Sequence, residues 1–394
     1  MEGFSGVRSN KSLVKVSVAV RQKFHGFQLA QQLALHKKLQ TLYTSFYGSF
    51  LGKSNSIGYQ IESNLVKTNF LSAIRTYVFN DNSFKSDDQF GRWVASQLQN
   101  EDIVVTWGLQ ALPIINKARQ RGIKTVLERG SAHVIEQRDI LLPEYGCYNV
   151  DTTALEKSFS SERIERELEE YEMADIISIP SSFVKRSFLK HGISEKKLFV
   201  NAFGADIKHF EYKPVKHDSF RIIYAGALSI RKGVHYLLQA FNELALNQSE
   251  LWLVGKLEEE IKPFLIKYAS PNIKLVPPVA QHELSNLYNQ CDVFTICSIE
   301  EGMAMVQAQA MACGLPLICT TNTGGDDLIE DQKEGFVVPV KDVKELKERI
   351  VYLFKNKNDR INMSKNAVDK IKSSFTWSDY GNRAIKKYEE MIRK

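Results

Sequence analysis

The stretch "DVFTICSIEEGMAMVQAQAMACGLPLICTT", residues 292–321, decides how the rest of the chain is read. An apolar run of strand length (292–298) gives way to two carboxylates and a glycine. A small-residue helical stretch, "GMAMVQAQAMA", follows and is stopped by Gly-Leu-Pro, and a second apolar run (315–321) begins at once. Strand, helix and strand joined by short links are the repeating unit of a parallel sheet.

Outward from this stretch the pattern repeats. "SFRIIYAGAL" (219–228), "SELWLVG" (249–255), "NIKLVPPV" (272–279) and "EGFVVPV" (334–340) read as further strands with helices between them. Towards the amino end, "VKVSVAV" (14–20), "LQTLYTS" (39–45), "EDIVVTW" (101–107), "IKTVLER" (123–129) and "ADIISIPS" (174–181) form an earlier series. Helices are expected at 27–37 and 161–173. The polar stretch "EYKPVKHDS" (211–219) has no apolar period and reads as a linker. With 394 residues, more than one core usually serves. The expectation is an α/β chain of two doubly wound domains, 1–210 and 217–375, followed by one more amphipathic helix at 375–392. Ligands of such sheets bind beyond the carboxyl ends of the strands, so a cleft between the domains is the expected site.

Composition narrows the chemistry. Hydrophobic residues at 43% and charged residues at 25% describe an ordinary globular protein. The five cysteines include no Cys-x-x-Cys pair, which argues against a zinc site or a disulfide framework. The formal net charge is +6, but residues 1–53 carry Arg8, Lys11, Lys15, Arg21, Lys23, Lys37, Lys38 and Lys53 against Glu2 alone. That bias suits an anionic partner such as a membrane surface or phosphates, or else a solvated basic face. No basic run is interleaved with aromatics, so nucleic acid is not expected as a partner. The absence of a long apolar span and of a signal peptide points to the cytoplasm, with peripheral contact at the inner face of the membrane. "GSFLGKS" (48–54) resembles a phosphate-cradling loop but has three residues between its glycines where that motif needs four. Residues 48–64, rich in Gly, Ser and Asn, read as a mobile loop.

Two constellations carry chemistry. In the first, Glu300 and Glu301 precede a helix start, whose free N–H groups and positive dipole end attract an anion. Those carboxylates either cap the helix or flank a phosphate seated on the amides of Gly302, Met303 and Ala304. Gly302 would let the ligand come close. Gln309, ~12 Å along by helix rise, would bond another part of the same ligand. In the second, "YAGALSIRKGVHYLLQAF" (224–241), a strand ends in Gly-Ala and a loop carries Arg231 and Lys232 before Gly233 opens a helix. Arg clamps a pyrophosphate bidentately and Lys acts as a point charge. No Asp-x-Asp pair offers a Mg²⁺ platform, so the expected ligand is a nucleotide diphosphate held without metal.

With these motifs in order, together with "EYEMADIISIPSSFVKRSFLKHGI" (170–193), "FGADIKHF" (203–210), "TGGDDLI" (323–329) and "FTWSDYG" (375–381), the chain resembles the retaining, metal-independent glycosyltransferases of the GT-B fold, family 4. The resemblance is strongest over 219–340. It implies two Rossmann-like domains facing a central cleft. The acceptor side lies in 1–210, with the tail helix 376–394 crossing back onto it, and the donor side in 217–375, with no cofactor beyond a nucleotide-sugar donor, a UDP-sugar before a GDP-sugar. The basic amino-terminal segment and the apolar-basic stretch 66–79 point to a sugar or lipid-linked acceptor, as in cell-surface polysaccharide synthesis.

The resemblance also assigns residues. Glu301 matches the first glutamate of the family's Glu-x7-Glu motif, which contacts the donor sugar. Gln309 stands where the second glutamate would bond the ribose, and an amide loses charge-assisted strength there. The family's frequent Gly-Arg is Gly226-Ala227 here, which leaves Arg231 and Lys232 as the phosphate cations. His133 falls where the family has a histidine near the reacting centre, Gly26 matches the glycine of the first strand–helix loop, with His25 beside it, and Val279 lies in the nucleobase region. Lys256 and Thr323 are further candidates. Two other readings stay open: a GT-B pair kept as a binding or scaffold subunit, and a sugar phosphorylase or epimerase on the same fold. Finally, "VKTNFLSAIRTYVF" (66–79) reads as an apolar-basic helix that either packs into the core or meets a membrane.

Overall fold

The computed structural model describes residues 14–393 except 23, 51–52, 55–58 and 82. Glu2, Arg8, Lys11 and Lys23 of the basic segment lie outside the described residues. The chain divides into two compact units, residues 1–126 with 381–394, and residues 127–380.

Two sheets carry the architecture. Across the first, the seven strands run Val66–Thr68, Leu39–Thr44, Val16–Ala19, Ile103–Trp107, Lys124–Glu128, Ile176–Ile179 and Leu198–Val200. Val16–Ala19 pairs in parallel with both of its neighbours. Across the second, the six run Ile273–Val276, Ser249–Val254, Phe220–Ala225, Val293–Ile296, Leu317–Thr320 and Gly335–Val338, each pair parallel. Both sheets start at an inner strand, wind outward on one side, then cross over and wind outward on the other. That order is the doubly wound arrangement, and it creates a switch point where neighbouring strands leave in opposite directions. In the second sheet the switch lies between Phe220–Ala225 and Val293–Ile296.

The strand reading follows from burial. Val293–Ile296 and Leu317–Thr320 are buried along their whole length, as strands covered by helices on both faces must be. The closing helix, Trp377–Arg393, has residues 381–393 in the first unit. There a Cβ on Gly381 would lie 2.5 Å from the Gln32 side chain, and Lys38 pairs with Glu389 at 2.8 Å. Residues 211–217 carry no regular structure, in keeping with a linker.

Two local expectations need correction. The 48–64 segment is not all loop: Ser49–Phe50 and Lys53–Ser54 pair as an antiparallel hairpin. The stretch 66–79 is not one helix, since Val66–Thr68 is an edge strand and the helix is Phe70–Tyr77, with Asn69 accepting from the Ser72 amide as its cap. Among the described residues no helix is long and apolar enough to cross a membrane.

Candidate active site

The loops leaving the two switch-point strands of the second sheet carry Arg231–Lys232 and Glu300–Glu301. Backbone geometry holds these loops together. Gly233 caps helix Val234–Leu244 at φ +64°, and a Cβ there would collide with the Cys297 carbonyl. Only glycine tolerates both the left-handed backbone and that approach. Next to it the Ile299 amide donates to the Arg231 carbonyl at 3.0 Å.

Each cation of the first loop then finds a carboxylate of the second. The Arg231 guanidinium meets Glu300 Oε2 through Nε at 3.0 Å and Nη2 at 2.9 Å. Lys232 forms an ion pair with Glu301. Burial and the adjacent Arg231 push the Lys232 ammonium down from its usual range, to about 7, while Glu300 pulls the other way. Glu300 is fully buried, which alone would raise its carboxyl. Arg231, the Ala132 amide (3.0 Å), Gln137 (2.9 Å) and Arg129 overcome that and hold it below the usual range.

A helix cap was one of two sequence readings for Glu300, and the structure does not place it there. Glu300 is the hub of a buried network. Arg129, just past its strand, pairs with Glu167 at 2.6 Å and donates to Gln137 at 3.1 Å, and Tyr171 donates to Glu167 at 2.6 Å. Adjacent carboxylates before a glycine were the only legible signal. Arg129, Gln137 and Glu167 lie far off in sequence and carry none.

The helix after Glu301 also begins later than its composition suggests. It spans Met305–Ala312 with Ala304 as N-cap and no acidic residue in its first turn. The Glu301 amide donates to the Asn322 carbonyl at 2.9 Å and Asn322 Nδ2 donates to the Ile299 carbonyl at 2.9 Å, so the chain is pinned in a loop through this point. Gly302, Met303 and Ala304 therefore precede the helix and are not its first turn. Gly302 is walled by the protein's own backbone: a Cβ would collide with the Gly130 carbonyl, and its carbonyl accepts from the Ser181 hydroxyl at 2.6 Å. Gln309 is buried at the fifth residue of this helix, so a span counted as helix from Glu301 does not describe the chain. Gln307, two residues earlier, is turned inward and donates to the Thr323 carbonyl at 2.9 Å. Thr323 is itself buried, its hydroxyl donating to the Thr320 carbonyl at 2.7 Å.

The remaining candidates divide. His133 caps helix Val134–Gly146, its Nδ1 accepting from the Ile135 amide at 3.3 Å. Its ring is 1% exposed, stacked on His191 at 4.5 Å and edged by Phe188 at 5.1 Å. Burial, then His191 and Arg129, lower its pKa to about 3, so the imidazole is neutral. The preceding amide, that of Ala132, is the one bonded to Glu300, which ties this turn to the paired cations. The same helix reaches the Arg231 loop from its other end: Tyr145 donates to Glu260 at 2.9 Å and accepts from the Arg231 amide at 3.4 Å. Lys256 points outward and pairs with Glu258 at 3.0 Å. Val279 is half-buried on the loop after Ile273–Val276. Gly26 belongs to the other unit. It is the second residue of helix His25–Leu35, where a Cβ would lie 2.6 Å from the Trp107 ring. His25 is buried beside that same ring at 5.2 Å.

One guanidinium and one ammonium group fixed at a switch point, each balanced by a carboxylate, can receive a polyanion and exchange partners with it. Among the described residues no group of three or more His, Cys, Asp and Glu is arranged to hold a metal ion. A cavity of about 650 Å³ lies at the opposite, amino ends of the second sheet's strands, lined by His217, Asp292 and Arg360 among others. Within it Arg360 pairs with Asp292 at 3.2 Å, and His217 Nε2 lies 3.6 Å from the same carboxylate.

Two doubly wound parallel sheets with this switch-point site define the GT-B architecture. Residues 206–370 match the family described as glycosyl transferases group 1. It is 27% identical over 221 residues to the capsular polysaccharide biosynthesis glycosyltransferase CapM of Staphylococcus aureus, covering 51% of this chain and 58% of CapM. It is 26% identical over 200 residues to the putative colanic acid biosynthesis glycosyltransferase WcaL of Escherichia coli K12, covering 47% of this chain and 49% of WcaL. The alignments thus span about half the length of these curated relatives. Among solved structures, sucrose-phosphate synthase from Thermosynechococcus elongatus superposes with a TM-score of 0.76 at 17% identity, over 96% of this chain and 99% of that one. HepE of Anabaena, solved with UDP-glucose, gives 0.70 at 16% identity, over 96% and 99%.

Proposed function

We propose that the protein transfers a sugar from a nucleotide-diphosphate sugar to an acceptor hydroxyl, with retained anomeric configuration and without a metal, in cell-surface polysaccharide synthesis. The observation that carries this reading is the placement of Arg231 and Lys232 at the switch point, pre-positioned by Glu300 and Glu301. As the glycosidic bond breaks, negative charge gathers on the departing diphosphate. Cations already fixed there stabilise it without reorganising, and removing one such donor typically costs ~100-fold or more in turnover. Glu301, released from Lys232 by the incoming phosphates, would accept hydrogen bonds from the donor sugar. The leaving phosphate takes the acceptor proton on the same face, so no protein nucleophile enters the scheme. CapM and WcaL, by their names, serve capsular and colanic acid synthesis, which supports a polysaccharide acceptor. HepE was solved with UDP-glucose, which supports a UDP-sugar donor. The reaction would run on the cytoplasmic side, with no further cofactor.

The test is calorimetric titration with UDP, GDP and ADP, in EDTA and in Mg²⁺, on the natural protein and on Arg231→Ala. Binding of one diphosphate, equal in both buffers and lost in the variant, is the expected result. No binding of any of the three would refute the donor site and favour a scaffold role. Sugar released from the UDP-sugar without an acceptor product would favour a phosphorylase or epimerase.

A further inference from the structure

The short helix Phe70–Tyr77 in the first unit is turned inside out. Its small and polar side chains, Ser72, Ala73 and Thr76, are buried against the protein, with Ser72 Oγ 3.1 Å from Ser45 Oγ. Its large apolar side chains face away. Phe70 is 63% exposed and Leu71 73%, and just past the helix Val78 is 50% and Phe79 72% exposed. By helical spacing Phe70, Leu71, Ile74 and Val78 share one arc, with exposed Arg75 on its rim. An amphipathic helix normally turns that stripe inward, and a concentration of large apolar side chains on the outside marks an interaction surface.

Charge selects the occupant. Residues 1–126 and 381–394 hold 21 Lys/Arg against 9 Asp/Glu, a formal +12, which leaves −6 for residues 127–380. A second copy presenting the same face would bring two strongly cationic units together, and repulsion opposes that. An anionic lipid surface meets both properties at once: headgroups attract the cations, and the acyl boundary takes the apolar side chains.

We propose that residues 70–79 form a wedge by which the first unit seats on an anionic bilayer, with Phe70, Leu71, Val78 and Phe79 entering the headgroup–acyl boundary and Arg75 and Lys85 staying at the phosphates. This rests on the first unit alone and not on the transferase reading.

The experiment is co-sedimentation of the full-length protein with vesicles of phosphatidylcholine, with and without about 30 mol % phosphatidylglycerol, at low and high salt. Two variants are compared, Phe70→Ser/Leu71→Ser/Phe79→Ser and Arg75→Glu/Lys85→Glu. The natural protein should bind the anionic vesicles and not the neutral ones. The serine variant should lose ~10-fold or more of that partitioning, and the glutamate variant a similar factor that vanishes at high salt. Because these side chains are exposed, both variants should melt with the natural protein and bind nucleotide equally, so failure here is distinct from failure of the donor site. No binding of the natural protein at low salt overturns the proposal. Undiminished binding of the serine variant overturns it too, since charge alone would then account for adsorption. A self-association in solution that the serine variant abolishes would assign the face to a second copy instead.

Discussion

Glu300 Oε2 is shared by two nitrogens of one guanidinium, Arg231 Nε at 3.0 Å and Nη2 at 2.9 Å, across 69 residues of sequence. The carboxylate is fully buried and also receives the Ala132 amide. Truncating one member of such a buried set leaves the others desolvated and unpaired, which typically costs ~3 kcal/mol. Glu300→Ala should lose about that much stability in urea unfolding, with Glu300→Gln losing less. Equal stability of Glu300→Ala and the natural protein would deny the hub role.

Lys232 offers a proton count. Held down to about 7, it binds fewer protons folded than unfolded up to the ordinary lysine pKa, so stability from this group rises with pH through that window. A bound diphosphate favours the ammonium. Titrating UDP at about pH 8, where its phosphates are fully ionised, in buffers of different ionisation enthalpy should therefore show net proton uptake. Lys232→Met should abolish the uptake and weaken binding ~10-fold or more.

Gly302→Ala sets a Cβ against the Gly130 carbonyl. Overpacking of this kind costs ~1–3 kcal/mol, and here the obstacle is backbone. A lowered melting temperature and a loss of turnover together are the expected outcome. An alanine variant with unchanged melting and activity would show that the two loops part freely.

His133 must stay neutral for its Nδ1 to accept the Ile135 amide. Its folded pKa is about 3, against an unfolded value near 6.5, so the unfolded chain binds the extra proton first. Stability from this group is therefore full above about pH 6.5 and falls as pH drops towards 3. His133→Asn, which keeps a capping side chain, should flatten the melting temperature over that range by a few degrees relative to the natural protein. Parallel acid curves would exclude His133 as the titrating group.

Restoring the second carboxylate tests the departure at Gln309. If the ribose hydroxyls bond here, Gln309→Glu should tighten UDP ~10-fold through a charge-assisted bond. A weaker complex in a stably folded variant would place the ribose elsewhere.

The inner strands were readable because each is a short apolar run buried along its length, whereas the short, half-exposed edge strands Val66–Thr68 and Leu198–Val200 were not. Nor was the start of the helix at Met305. Gly302, Met303 and Ala304 have helical character, but bonds to Asn322, a distant residue, hold Glu301 out of the helix. Arg231, Lys232 and Glu301 were legible as charges at strand exits, and the structure brings them together. Glu300 was not legible as a hub, because Ala132, Gln137 and Arg231 meet it only through folding. For Phe70–Tyr77 the apolar stripe was visible and its direction was not. Sequence period shows that a face exists and says nothing about which way it points.

The backbone contact of Gly130 with Gly302 is completed by Gly324, whose Cβ, if present, would lie 2.7 Å from the Gly302 carbonyl. Three loops thus meet through glycine backbone, with the Ser181 side chain packed alongside, leaving little room for a substitution to adjust their spacing. Any drift that adapts this protein to a different substrate has to happen around that junction, as exchanges of neighbouring side chains. The junction acts as a fixed datum from which the turn leading to His133 and the Glu301 loop are both measured, so those two segments can diversify in chemistry while keeping their separation.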